Sequence, residues 1–237
     1  MTGRMCLDDA IGAEGTPLAP CDVQGDQVPA VARASDVTVE EYDLVRRVGL
    51  DGTFYVTREV WPIMVAHRYG RIVVTTSGNG LLGNPASVSY AIAKAGVYGM
   101  MRALAIDGVK CGIKANAIAP SASTPMADSF VSTEMAATMR TEFPTSLVSP
   151  VVPVLAGEQC PVTGRTFDAG GGRVGTTFQG TNAGYYDRKM TPEALLAHWA
   201  TVVDQTDGAW GGSTGQGLTV TAAYRQVTGP FRRRVLR

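Results

Sequence analysis

Between Thr38 and Ala66, apolar side chains recur every three or four positions, at Tyr42, Val45, Val48, Phe54, Val60, Met64 and Val65. That period is the signature of one helical face. Thr38, followed by Glu40 and Glu41, reads as an N-cap with acids in the first turn. Gly49 and Gly52 fall inside the run and are expected to bend or interrupt it, at about 1 kcal/mol each relative to Ala. The pattern then changes. "RIVVTT" at 71–76 is short, apolar and β-branched, as a buried parallel strand is. Residues 87–107 return to helical spacing behind Ser87, a candidate N-cap. "GIKANAIAP" at 112–120 is a second strand that stops at Pro120.

Residues 125–140 read as a Met- and Ala-rich helix behind a flexible loop, and "PVTGRTFDAGGG" at 161–172 as a third strand. Thr191 and Pro192 open a last helix to about Val203, with Pro at the favoured first position. In residues 1–35, Gly, Pro and Asp interrupt every apolar run, and no element is legible. A Gly-rich stretch at 207–217 precedes a basic tail. The chain therefore divides into 1–35, an α/β domain at 36–203, and a linker with tail at 204–237. Strands alternating with helices predict a parallel sheet with right-handed crossovers. Ligands of such sheets bind beyond the carboxyl ends of the strands. Ser77, Pro120 to Thr124, and Gly170 onward share that edge.

Composition narrows the field. With 237 residues, 45% of them apolar, the chain can bury one sizeable core. A formal net charge of zero gives no general attraction to nucleic acid or to an anionic membrane. Arg232 to Arg234 reads as a solvated tail. Cys6, Cys21, Cys111 and Cys160 form no C-x-x-C pair, and the histidines are His67 and His198, so no metal site is expected. Scattered thiols without a leader-like apolar segment point to a reducing compartment, the cytoplasm. No run of about 18 apolar residues suggests a membrane helix.

The glycines of "SGNGLLG", Gly78, Gly80 and Gly83, fit G-x-G-x-x-G, yet make a poor phosphate cradle. Asn84 and Pro85 separate them from the following helix. About 20 residues further on, where an acid is needed, stands Arg102. Their flanks are more informative. Ser77 lies at a strand end, and Tyr90 and Lys94 are one helical turn apart on a common face. A phenol titrates near 10, and a neighbouring ammonium and a helix N-terminus both favour its anion. A Tyr so placed can exchange a proton with a carbonyl or alcohol oxygen while Ser77 hydrogen-bonds that oxygen. The hydride has to come from a cofactor. A second Tyr-x-x-x-Lys, Tyr185 and Lys189, has no matching strand-end Ser, because Gly172 stands at that distance. It reads as a coincidence in a loop, with Tyr185 an ordinary surface or packing aromatic.

The residues 70–126, "GRIVVTTSGNGLLGNPASVSYAIAKAGVYGMMRALAIDGVKCGIKANAIAPSASTPM", resemble the short-chain dehydrogenases/reductases. The likeness extends back to "GTFYVTREVWPIM" and forward through 149–174, covering about 36–203 overall. The "APSAST" turn, "CPVTG" and "MTPEALLAHW" are most similar to the (3R)-hydroxyacyl-CoA dehydrogenase branch. The resemblance implies a Rossmann-like, doubly wound parallel sheet and an NAD- or NADP-dependent oxidoreductase that interconverts a hydroxyl and a carbonyl, on a hydroxyacyl thioester or another small molecule. It implies catalytic roles for Ser77, Tyr90 and Lys94. Tyr90, Lys94, Pro120 and Thr124 would hold the nicotinamide and its ribose. Asn116 would tie two strands together, 125–140 would form a mobile lid, and subunits would pair as a homodimer or homotetramer through the helices at 38–66 and 87–107.

Two departures stand against that pattern. Gly49 occupies the place of an Asn that holds a relay water in the family. The family's first βαβ unit, with its Gly-rich pyrophosphate loop, has no counterpart legible in residues 1–70, although such a unit needs about 30 residues. "CDVQGDQVPAVARA" at 21–34 resembles only the family's third strand tip, with Asp22 toward the adenine. The alternative is therefore a truncated, catalytically impaired remnant that acts only through oligomerisation.

Overall fold

The computed structural model describes residues 33–128, 132–182, 184–204, 206, 209 and 210. The readings of Asp22, Cys6, Cys21, the stretch 211–217 and Arg232 to Arg234 fall outside these residues. The first helix, α1 (Val39–Arg46), opens on a capping box: the Thr38 hydroxyl accepts from the Glu41 amide at 3.1 Å, and the Glu41 carboxylate accepts from the Thr38 amide at 2.9 Å. It passes through a π-type turn, Arg47–Asp51, into α2 (Gly52–His67). The glycines thus widen the helix rather than break it. A Cβ on Gly49 would lie 3.3 Å from Cβ of Ala93, so the wide turn is pressed against the next long helix of the fold.

The main elements that follow are β1 (Gly70–Thr75), α3 (Gly78–Leu82), α4 (Val88–Gly108), β2 (Ile113–Pro120), α5 (Pro125–Asp128), α6 (Thr133–Glu142), α7 (Val151–Ala156), β3 (Thr166–Gly170) and β4 (Arg173–Thr177). The sheet order is β1-β2-β3-β4. The first three strands are parallel, with Ile72 beside Ala115 and Ala117 beside Thr166, and β4 runs antiparallel to β3. Helices cover both faces. Ile72, Val74, Ala115 and Ala117 pack with Val97, Met101 and Ala105 of α4. Val73, Ile118 and Phe167 pack on the other face with Leu155 of α7 and Cys160. Burying a side chain such as Met101 or Val97 contributes about 1.5–3 kcal/mol. The fold is a Rossmann-like α/β sheet. Among the described residues β1 is the first strand and forms one edge.

Several expectations change in detail. Ser87 stands at the start of α4 but does not cap it; its hydroxyl donates to the Asn84 carbonyl at 2.7 Å and closes the preceding turn. The 125–140 segment is two helices rather than one, with Ser132 capping α6. The third strand starts only at Thr166, because 160–165 is held as a bend against β2. There Asn116 donates to the Val162 carbonyl at 3.0 Å and accepts from the Arg165 amide at 3.1 Å, the strand-tying role expected of it. Strand β4 was not foreseen. Gly171 and Gly172, at φ 55° and 76°, form a two-residue hairpin of the type that needs positive φ at both positions.

Beyond the sheet, β5 (Gly180–Thr181) pairs with β6 (Ala209–Trp210). The last helix starts at the Thr191 cap as expected, but divides at His198 into α8 (Pro192–Ala197) and α9 (Trp199–Val203). Tyr185 and Lys189 lie in a loop, and the Tyr185 ring stacks on His198 at 4.1 Å, which is the packing role assigned to it. No described helix is long and apolar enough to cross a membrane, and no metal-binding cluster occurs among the described residues.

Candidate active site

Strand β1 delivers the chain to the site. Thr76, just past its end, is 1% exposed, and its amide donates to the Ile118 carbonyl of β2 at 2.8 Å. Its hydroxyl donates to the Lys94 carbonyl at 2.7 Å. One residue thereby fastens the strand end to both β2 and the second turn of α4. Ser77 follows in extended conformation and caps α3, accepting from the Asn79 amide at 3.2 Å. A hydroxyl has one hydrogen and two acceptor sites, so that contact leaves the Ser77 hydrogen for another oxygen.

The glycine run has a packing reason. A Cβ on Gly80 would come within 2.7 Å of the backbone of Lys94 and Ala95. Only glycine lets α3 lie directly on α4. The same contact keeps Ser77 beside the turn that carries Lys94.

Tyr90 and Lys94 project from the first two turns of α4. The Lys94 ammonium lies 5.7 Å from the Tyr90 ring centroid and donates to the Thr75 carbonyl at 3.1 Å. Thr75 is two residues before Ser77, so the strand end, the ammonium and the phenol ring form one cluster. Burial pushes the Lys94 pKa below its ordinary value. An ammonium has three donors, and Thr75 takes one. The Tyr90 hydroxyl has no hydrogen-bond partner among the described residues.

Pro120 to Thr124 leave β2 at the same edge. Ser121 donates to Ala169 at 2.8 Å, and the Thr124 hydroxyl caps α5 by accepting from the Ala127 amide at 3.1 Å. Gly49 lies in the π-type turn against Ala93 of α4. The residue that sequence reasoning passed over is Thr76. A polar Thr at the tip of an apolar strand, directly before Ser77, was the available signal for it.

Ser77 thus follows β1, and Tyr90 and Lys94 ride on α4, within one β1–α4–β2 unit. Residues 27–135 match the short chain dehydrogenase family, and the chain belongs to it. Among its relatives is 2-dehydro-3-deoxy-L-rhamnonate dehydrogenase (NAD(+)) of Sphingomonas sp., 33% identical over 177 residues, which cover 71% of this chain and 68% of that protein. The mouse peroxisomal multifunctional enzyme type 2 is 35% identical over 174 residues, covering 72% of this chain but 23% of the mouse protein. The solved full-length peroxisomal multifunctional enzyme type 2 of Drosophila melanogaster superposes with a TM-score of 0.72 at 23% identity, covering 88% of this chain and 37% of that one. The chain thus spans well under half the length of these multifunctional relatives. The family is one of NAD(P)-dependent oxidoreductases, and the peroxisomal relatives match the branch expected from the sequence.

Proposed function

We propose that this chain is an oxidoreductase that interconverts a hydroxyl and a carbonyl, with Tyr90 as general acid/base, Ser77 orienting the substrate oxygen and Lys94 serving both phenol and cofactor. The observation that carries the reading is the Lys94 ammonium, fixed to Thr75 at 3.1 Å and set 5.7 Å from the Tyr90 ring. In the oxidative direction Tyr90 takes the hydroxyl proton. Lys94 stabilises the negative charge on the phenol oxygen, and the Ser77 hydrogen bonds the developing carbonyl oxygen. In the reductive direction Tyr90 returns the proton.

The residues present fit the nicotinamide end of NAD or NADP. Lys94 keeps donors for a ribose, and Pro120 and Thr124 flank the same edge. NAD or NADP, held by Lys94, Pro120 and Thr124, would supply or accept the hydride. The substrate class we favour is a hydroxyacyl thioester, on the strength of the multifunctional relatives. The unit that performs the chemistry is 36–203, and free Cys111 and Cys160 accord with a reducing compartment, in our reading the cytoplasm. Titration with NADH and NADPH, followed by nicotinamide fluorescence, tests the reading. Binding that Lys94→Met weakens is expected; no binding of either at millimolar levels overturns hydride transfer by this chain.

A second reading, self-association without catalysis, draws on α2. Phe54, Tyr55, Val56 and Ile63 are all exposed there. We read this face, together with α4, as the surface for a second copy, giving a dimer or tetramer. Light scattering decides it, and a clean monomer at working concentration removes this reading.

A further inference from the structure

A small cavity of about 30 Å³ lies between α4 and the β3–β4 hairpin, lined by Tyr98, Arg102, Arg165, Thr166, Thr176 and Thr177 among others. Thr166 is 2% exposed, and its hydroxyl is buried without a hydrogen-bond partner. Its neighbour Phe167 packs on the α7 face, so strand alternation turns Thr166 toward α4 and the cavity. Arg102 donates to the Gly164 carbonyl at 2.5 Å, which holds its guanidinium at the cavity wall with further donors to spare. No Asp or Glu lines the space.

We propose that this cavity is a binding site for a small monoatomic anion, chloride in size, held by the Thr166 hydroxyl and the Arg102 guanidinium. A buried hydroxyl is rarely left unsatisfied, and an anion at this cation-lined wall would accept its hydrogen. The space exceeds the roughly 10–15 Å³ that one water requires. Thr166 begins β3, and Arg102 lies two helical turns beyond Lys94 on α4. A bound anion therefore ties the helix that carries Tyr90 and Lys94 to the far side of the sheet. The site is separate from the Ser77–Tyr90–Lys94 cluster and does not depend on its chemistry.

Thermal unfolding of the full chain in sodium gluconate, with gluconate replaced stepwise by chloride at constant ionic strength, tests the proposal. The expected result is a saturable rise of the midpoint, about 3–5 °C at a tenfold excess over half-saturation. Thr166→Val removes the stranded hydroxyl at nearly constant shape. It is expected to be at least as stable as the parent in gluconate and insensitive to chloride. Arg102→Gln is expected to lose the shift as well. Broadening of the ³⁵Cl NMR line by the parent, and not by T166V, gives a readout independent of folding. Identical parent midpoints in the two salts would mean a cavity filled by water alone and overturn the site. Retention of the chloride shift by T166V would do the same.

Discussion

Helices α4 and α2 are both long and rich in apolar residues, yet they relate to the sheet in different ways. On α4 the buried positions include Ser89, Ala93, Val97, Met101 and Ala105, every fourth residue along one row. Val97, Met101 and Ala105 of that row pack on β1 and β2, while Ala93 lies against the wide turn at Gly49. On α2, sixteen residues long, only Thr57 is buried; Trp61 and Met64 touch the core from its margin. Ile63 is 59% exposed and Val56 68%. Helical periodicity announces both elements equally well. What separates them is what lies opposite: α4 faces a sheet, whereas most of the apolar surface of α2 faces no described residue.

The largest expected effect places chemistry on α4. Tyr90→Phe keeps the ring and removes the proton carrier, so turnover of a hydroxyl substrate falls by about 100- to 10,000-fold. Its free energy of unfolding in urea stays within about 0.5 kcal/mol of the parent's. Undiminished turnover would strip α4 of its catalytic role. Packing is tested by a pair. Met101→Ala leaves a cavity beneath α4 and costs about 2–5 kcal/mol, whereas Ile63→Ala on α2 changes a monomer by no more than about 0.5 kcal/mol. If I63A costs as much as M101A, and the cost grows with protein concentration, α2 is buried against another copy in solution.

Gly80→Ala sharpens the contrast at the site itself. The added methyl meets the Lys94 backbone at 2.7 Å, and overpacking of this kind costs about 1–3 kcal/mol. A thermal midpoint equal to the parent's would show that α3 does not rest on α4. The smallest effect is on pH dependence. The folded pKa of Lys94 is lowered below its ordinary value of 10.5 by burial, so between the two values the unfolded chain binds more protons. Stability contributed through this group therefore rises with pH across that window. The parent should gain on Lys94→Met as pH climbs toward 10.5, and a constant difference between them would contradict the burial of that ammonium.

Much of this was legible because the relevant signals are local. A β-branched run marked β1, a stretch closed by Pro120 marked β2, a Thr with acids marked α1, and the four-residue spacing of Tyr90 and Lys94 survived intact into the fold. The bond from Lys94 to Thr75 was hidden, since it joins two elements whose approach is set by Gly80 and Thr76 rather than by their own sequences. Strand β4 was hidden for a different reason. "RVGTT" is too short and too Gly-interrupted to read alone, and the paired glycines before it looked like an ending rather than a hairpin. Ser87 misled because a Ser suits a cap, whereas its hydroxyl donates back to the Asn84 carbonyl and accepts from no amide of α4.

The outer side of β1 has a practical consequence. The Thr76 amide bonds to β2, so alternation turns the main-chain groups of Arg71, Val73 and Thr75 to the side where no described strand lies. A strand border of this kind, where uncovered, offers its main-chain groups to a further strand. Lys94 sits on the Thr75 carbonyl at the end of that row. The ammonium thus covers one carbonyl of that border as well as facing the Tyr90 ring.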